Sequence, residues 1–396
     1  MKRVRKVIFW CHLISGVIAG IVILIMSVTG AVLALKPQIL RYAESDMRTV
    51  TPPTENAQRL TTQELFAKLK EAKPNAKPSA VMIQSDPNEA ATFQLGREGT
   101  LYMNPYNGQI TGEGAKKTGA FFHIMDEWHR WLGMSGDNRA IGRAITGFCN
   151  MAFLVLAITG LYIWMPRKFS LQALKSITMF KAGLKGRARD FNWHNVIGFW
   201  SALVLIFLTA TAATISYQWA GDLLYTLTFS EKPVQQRPPQ QGAANQQQAP
   251  EIPNNLNQLW ARAEQQVSGW KSINLRLAQR AGGPVSFSID EGTAWNPFAR
   301  STLTLNSATA EVITWDAYAN YNRGRTLRLW SRFIHTGEAF GLTGQIIAGL
   351  ASLGGAFLVW TGLSLALRRF RSWLARRKTK GVVQNDMELV TETSGN

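Results

Sequence analysis

Five histidines occur in the chain, His12, His123, His129, His194 and His335, and four of them recur in matched sequence contexts. His12 is followed by Gly16 and Thr29, and His194 by Gly198 and Thr211, at the same spacings. His129 and His335 each stand shortly before the glycine, Gly142 or Gly344, that opens a long apolar run. A lone histidine in an apolar helix is ordinarily a packed, hydrogen-bonded residue. Paired ionisable groups near a membrane core weigh differently, because such groups are rare there and commonly functional. Two imidazoles facing each other across an axis suit axial ligation of one haem iron, which takes nitrogen ligands on opposite sides. The glycine one turn after His12 and His194 leaves room for a macrocycle against the helix, although plain small-residue packing accounts for Gly16-x-x-x-Gly20 as well. Cys-x-x-Cys-His is absent from the sequence, so a haem would be held without thioether links. No carboxylate or thiol pattern completes a tetrahedral zinc set.

His123 has no counterpart in the second half; it can replace His129 as a ligand, meet a substrate, or serve packing alone. Arg130, Arg139, Arg143 and Arg332 flank the second pair. Arginine suits carboxylates bidentately, so these side chains can hold haem propionates, and contact with lipid headgroups explains them equally well.

These residues need elements to position them. The chain of 396 residues is 46% apolar and only 17% charged, against roughly 25% charged in an ordinary soluble domain. Disorder is excluded by that balance, and a disulfide scaffold by the presence of only Cys11 and Cys149, both inside apolar runs. Four runs, 7–35, 141–165, 191–220 and 341–367, reach the ~20 apolar residues that a helix needs to cross a bilayer. None of the four, so bounded, contains an acidic residue. Lys2, Arg3, Arg5 and Lys6 precede the first, whose length exceeds that of a signal-peptide core. The loop 166–190 and the segment 368–380 are also strongly basic, and with the N-terminal stub they hold nearly all of the net charge of +18. The positive-inside rule therefore places both termini in the cytoplasm, and the basic pI gives nucleic-acid binding no separate support.

The expected layout is a span ending at residue 35, a far-side module 36–140 that includes the helix carrying His129, and a span 141–165. A basic cytoplasmic loop 166–190 and a span 191–220 follow. Next come a far-side region 221–340 with a Gln/Pro-rich linker at 231–253, a span 341–367 and a basic tail 368–396. The far-side segments read as small α+β modules. Thr61-Thr-Gln-Glu64 is a capping-box pattern opening a helix to about Ala72. Strand-like runs lie at 79–84, 92–96 and 101–104, then 272–277, 285–289 and 302–305, with a second helix near 255–267. The halves match at an offset of 182 residues early and 202 later; Gly142, Ile145, Thr159 and Gly160, for example, answer to Gly344, Ile347, Thr361 and Gly362. The extra twenty residues are assigned to the linker. Both halves then run span–module–span in one orientation, a parallel repeat whose pseudo-twofold axis follows the membrane normal.

Trp128-His129-Arg130-Trp131-Leu132, His335-Thr336-Gly337 and the paired Thr-Gly-Leu endings resemble the PepSY-associated transmembrane family. Leu101-Tyr-Met-Asn-Pro-Tyr-Asn-Gly108 resembles a PepSY-domain turn, from which Asn306-Ser-Ala-Thr-Ala310 departs by lacking Pro and Gly. The resemblance implies an inner-membrane oxidoreductase of Gram-negative bacteria that reduces the iron of a ferric siderophore at the periplasmic face. It implies two non-covalent b-type haems, with His12, His194, His129 and His335 as iron ligands. No Gly-rich dinucleotide fingerprint follows a strand, so electrons would come from quinol or a separate cytoplasmic reductase. Two further readings remain open: a non-catalytic PepSY membrane sensor or interaction protein, and a siderophore or iron permease component.

Overall fold

The computed structural model describes residues 2–96, 99–166, 170–233, 252–278, 282–293 and 296–393, with side chains over 3–377. The expected linker falls almost wholly on 234–251, outside the described residues. The chain divides into two compact units: Met1–Leu35, His123–Leu224 and Arg328–Asn396 form the first, Lys36–Phe122 and Tyr225–Leu327 the second.

Helices α1 (Lys2–Leu33), α2 (Lys36–Ala43), α3 (Ser45–Arg48) and α4 (Thr62–Ala72) open the chain. Strands β1 (Ala80–Gln84), β2 (Ala91–Gln94), β3 (Thr100–Met103) and β4 (Ile110–Glu113) follow, then α5 (Lys116–Trp131) and α6 (Arg139–Trp164). Next come α7 (Leu171–Thr178), α8 (Gly186–Ser216), α9 (Gln218–Leu227) and α10 (Leu256–Gln266). Strands β5 (Ser272–Arg276), β6 (Val285–Asp290), β7 (Arg300–Leu305) and β8 (Val312–Asp316) precede α11 (Arg323–Thr336) and α12 (Gly341–Thr393).

Among the described residues, four stretches are long and apolar enough to cross a membrane: Arg3–Leu33, Gly136–Trp164, Gly186–Ser216 and Glu338–Arg377. Their helices pack in the cyclic order α1, α6, α8, α12, so α1 lies diagonal to α8 and α6 to α12. The bundle buries small and apolar residues such as Ala19, Ile23, Ala202 and Leu205 together with a set of polar ones, and turns large apolar side chains outward. Thr29, Thr146, Asn150, Thr209 and Thr361 are buried, while Ile18 is 70% and Leu350 63% exposed. Asn150 Nδ2, for instance, donates to the Thr209 carbonyl at 2.9 Å, joining α6 to α8.

Span boundaries differ from the sequence reading: α12 continues as helix to Thr393, past the expected end at 367, and the third span is shifted at both ends. The third span stops at Ser216, because Tyr217 adopts an extended backbone (φ −117°, ψ 128°) before α9. Its helix starts earlier than expected, at Gly186, and thereby takes in Asp190, which the sequence places in the loop. Asp190 is only 2% exposed and accepts from Ser364 Oγ (2.8 Å) and Arg189 (2.9 Å), with Arg368 at 3.6 Å. An acidic residue does therefore lie within a span, neutralised where it sits.

In the second unit the two expected modules share one sheet, ordered β4-β3-β2-β1-β5-β6-β7-β8 and antiparallel throughout. The halves meet at β1–β5, where Met82 faces Asn274. One core covers both: Leu65, Phe66 and Leu69 of α4 and Leu256, Leu259 and Trp260 of α10 pack with Phe93, Met103, Phe287 and Leu303 of the sheet. The capping box forms as expected, Thr61 N–H donating to Glu64 Oε2 (2.7 Å) and Glu64 N–H to Thr61 Oγ1 (3.3 Å). Strands β4 and β8, the two edges, go unmarked in the sequence reading.

The turn that departs from the sequence pattern is nonetheless the same turn. Tyr106 N–H donates to Asn104 Oδ1 and Ala308 N–H to Asn306 Oδ1, both at 2.9 Å. Ala310 takes the left-handed φ of +56° where the first half has Gly108 at +73°. A Cβ costs roughly 1–2 kcal/mol in that conformation, so the second turn is held by its hydrogen bonds against local preference. The twenty extra residues are not all in the linker either. Register pairs α4, β1 and β2 with α10, β5 and β6 at an intermediate offset (Thr62 with Leu256), and the rest of the shift enters at the β6–β7 connection.

Candidate functional site: two histidine pairs

His12 and His194 sit near the N-terminal ends of α1 and α8, the diagonal helices, and both line one cavity of about 760 Å³ within the bundle. That volume lies in the ~300–1,000 Å³ range of small-molecule and cofactor sites. Each ring leans on the neighbouring span. His12 Nδ1 is 2.9 Å from Thr159 Oγ1, and His194 Nδ1 is 2.9 Å from Thr361 Oγ1. These threonines spend their own protons on the helix behind them, Thr159 on the Val155 carbonyl (2.6 Å) and Thr361 on the Phe357 carbonyl (2.7 Å). Each hydroxyl can then only accept from the histidine, which fixes the proton on Nδ1 and a lone pair on Nε2.

Glycine makes that approach feasible. A Cβ on Gly160 or Gly362 would stand 3.4 Å from the Cε1 of His12 or His194. At Gly16 and Gly198 the nearest side-chain atoms are 3.7 and 3.5 Å away, ordinary packing distances, although both residues line the cavity.

His129 and His335 come from α5 and α11, outside the spans, and their ring centroids are 6.3 Å apart at 44°. Here the Nδ1 partners are backbone carbonyls: Met26 O for His129 (3.0 Å) and Leu208 O for His335 (2.9 Å). Thr29 Oγ1, donating to Ile25 O at 2.7 Å, accepts a second, longer contact from His129 Nδ1 at 3.1 Å. A carbonyl only accepts, so these rings too carry the proton on Nδ1 and a lone pair on Nε2. Desolvation, and after it the neighbouring His335, lowers the His129 imidazole below the ordinary histidine value, and desolvation lowers His335 as well, so burial favours the neutral ring in both. Gly142 and Gly344 let the ends of these helices seat against α6 and α12, since a Cβ at either would collide with the Trp131 or Gly337 carbonyl. Thr146 Oγ1 donates to the Arg130 carbonyl (2.9 Å) and pins the first seat.

From His12 to Met26 along α1, and from His194 to Leu208 along α8, the helical rise of 1.5 Å per residue separates the two pairs by about 21 Å. They therefore lie toward opposite ends of the spans.

The other candidate residues are less closely engaged. His123 is 69% exposed and 3.5 Å from Glu127, and it joins neither pair. Arg130 and Arg139 stack over the Trp131 ring at 4.5 and 4.0 Å, and Arg332 lies 6.0 Å from the Phe333 ring. Arg143 is exposed. Among the described residues no group of three or more His, Cys, Asp or Glu is placed to hold a metal ion. A bare ion such as zinc finds no donor set there, whereas a ligand set of two suits a metal that brings its own equatorial ligands.

The residues fit such a group. The ring centres of His129 and His335 stand 6.3 Å apart, a separation that would suit two metal–imidazole bonds of about 2 Å each once the ring radii are added. Metal-binding histidines characteristically commit their second nitrogen to a fixed acceptor, as all four do. The sequence reading marked Thr159 and Thr361 only as repeat matches and missed their task; the carbonyl acceptors carried no sequence signal.

Residues 9–369 match the family described as "PepSY-associated TM region", and the chain belongs to that family. No curated protein matches it.

Proposed function

We propose that this PepSY-associated transmembrane protein is a di-haem electron conduit of the bacterial inner membrane, an oxidoreductase acting on the iron of a ferric siderophore at the periplasmic face. His12 and His194 would hold one non-covalent b-type haem, and His129 and His335 the other. The observation that carries the reading is the common tautomer: all four rings commit Nδ1–H to an acceptor and leave the Nε2 lone pair without a partner among the described residues. When bound, haem supplies one-electron chemistry at its iron, with a potential set by its ligands and surroundings.

The chain's own residues do the rest. Thr159 and Thr361 on one side, and the Met26 and Leu208 carbonyls on the other, orient the ligands and raise their basicity. Apolar side chains such as Leu13, Val17, Phe153 and Leu205 line much of the cavity beside the His12 and His194 rings and would limit water there. The duplicated span–module–span plan, with its axis along the bundle, accounts for His12 and His194 coming from diagonal spans and His129 and His335 from the matching helices α5 and α11. The basic segments orient the chain with both termini cytoplasmic, so His12 and His194 lie in the inner half of the membrane and His129 and His335 in the outer half. Quinol or a separate reductase is the expected donor.

The visible spectrum of purified protein tests this. A Soret band with sharp reduced α and β bands, and two haems per chain by pyridine haemochrome, is the expected result. A colourless protein sinks it. The second reading, a non-catalytic PepSY membrane sensor or interaction protein, draws on the same contacts: each histidine ties its helix to a neighbour, which is enough for a structural role. In that case His12→Gln would lower thermal stability with no cofactor to lose.

A further inference from the structure

We infer that Lys181 and Arg187 form the anion-binding mouth of the His12/His194 cavity and hold the carboxylates of the planar cofactor there; this rests on the haem reading above. Four cations line the cavity: Arg5, Lys181, Arg187 and Arg369. Two are already committed. Arg5 caps the Ile163 and Met165 carbonyls at the end of α6, and Arg369 stacks over the rings of Phe9 and Trp10 at 5.0 and 4.9 Å. The side chains of Lys181 and Arg187 have no acidic, carbonyl or aromatic partner among the described residues. Asp190, the one acidic residue of the segment 166–190, is engaged by Arg189, Arg368 and Ser364 and does not line the cavity.

The mouth is built rather than loose. Lys181 N–H donates to Asn192 Oδ1 (3.0 Å), Asn192 Nδ2 to the Met179 carbonyl (3.3 Å), and Trp200 Nε1 to the Thr178 carbonyl (3.1 Å). The segment after α7 is thereby stapled along α8, and Arg187 stands in the first turn of α8, whose N-terminus adds its own positive end. Below the mouth the walls are apolar, with Leu13, Val17, Phe153 and Leu205 among them. An apolar body carrying two carboxylates at one edge matches that distribution, and charge-assisted hydrogen bonds to Lys and Arg are its strong contacts. The phosphate of an anionic lipid would meet the same two cations, so the test excludes such lipids.

The experiment compares Lys181→Gln/Arg187→Gln with Lys175→Gln/Lys185→Gln, which removes the same charge from the same loop but from residues that do not line the cavity. Each protein is placed in nanodiscs of neutral phosphatidylcholine and read by haem content, by haem transfer to apomyoglobin and by redox titration. In the first variant one haem should transfer at least about tenfold faster, since two charge-assisted contacts are lost. Its midpoint potential should fall, because removing positive charge disfavours the electron-rich state; the second haem and the control variant should match the parent. If the two variants behave alike on a parent holding two haems, this inference falls alone. A haem-free parent overturns the haem reading, and this inference with it.

Discussion

The His12/His194 pair and the His129/His335 pair, inner and outer under the proposed orientation, present the same lone pair by different means. Inside, a threonine hydroxyl on the adjoining span sets the tautomer, and the rings border an open cavity. Outside, a backbone carbonyl sets it, and the rings stand 6.3 Å apart. A hydroxyl can be removed by one substitution, whereas a carbonyl cannot. The inner pair is therefore adjustable by side-chain chemistry, and the outer pair by helix placement.

The widest separation comes from deleting ligands. His335→Ala should remove one haem and abolish reduction of an external ferric chelate by a reductant sealed inside vesicles, with the inner haem still bound and reducible. His12→Ala should remove the other haem, and His12→Ala/His194→Ala no more than that. Outward transfer at the parent rate in His335→Ala, followed by Fe(II) capture outside, would remove the outer pair from the exit.

A smaller difference comes from crowding. A Cβ at Gly30 would sit 3.1 Å from His129 Cε1, tighter than the 3.4 Å between Gly160 and His12. Gly30→Ala should cost the outer site about 1–3 kcal/mol in haem retention, and Gly160→Ala less than that. Thermal haem release, followed in the Soret band, ranks the two; the reverse order would contradict the packing described.

Smaller again is the loss of one hydroxyl. Thr159→Val leaves His12 Nδ1 without its acceptor and should weaken the inner site by about 1 kcal/mol, roughly fivefold in affinity. Thr29→Val should change little, since the Met26 carbonyl remains. Equal responses in competitive haem binding would erase the distinction between the pairs. Thr61→Ala serves as the reference: it should lower the second unit's stability by about 1 kcal/mol in a thermal melt and leave both haem spectra unchanged.

Much of the fold is legible in residue patterns, and the reasons are local. The capping box, the apolar runs and the inner strands each carry their signal within a few residues. Ile110-Thr-Gly-Glu113 does not, because an edge strand with every residue half-exposed shows no alternation. The end of α8 at Ser216 was equally hidden, as apolar residues continue past the break. For the candidate site, matched sequence contexts exposed four of the histidines by pairing them. Thr159 and Thr361 were visible only as matches, and Met26 and Leu208 act through groups that every residue possesses. Lys181 and Arg187 read as part of the charge that orients the chain, and only the cavity separates them from Lys175 and Lys185.

The joint between β1 and β5 has a consequence in time. Strand β1 is complete once Gln84 has been made, but its partner starts at Ser272, with α6 and α8 still to be synthesised between them. At ~5–20 residues per second, the ribosome needs on the order of ten to forty seconds to cover that distance. Throughout that interval the first half-sheet carries an unpaired hydrogen-bonding edge, a template for association with other chains. Newly made protein is thus most vulnerable midway through its own insertion, and a holding chaperone would be of use to it then rather than at the end.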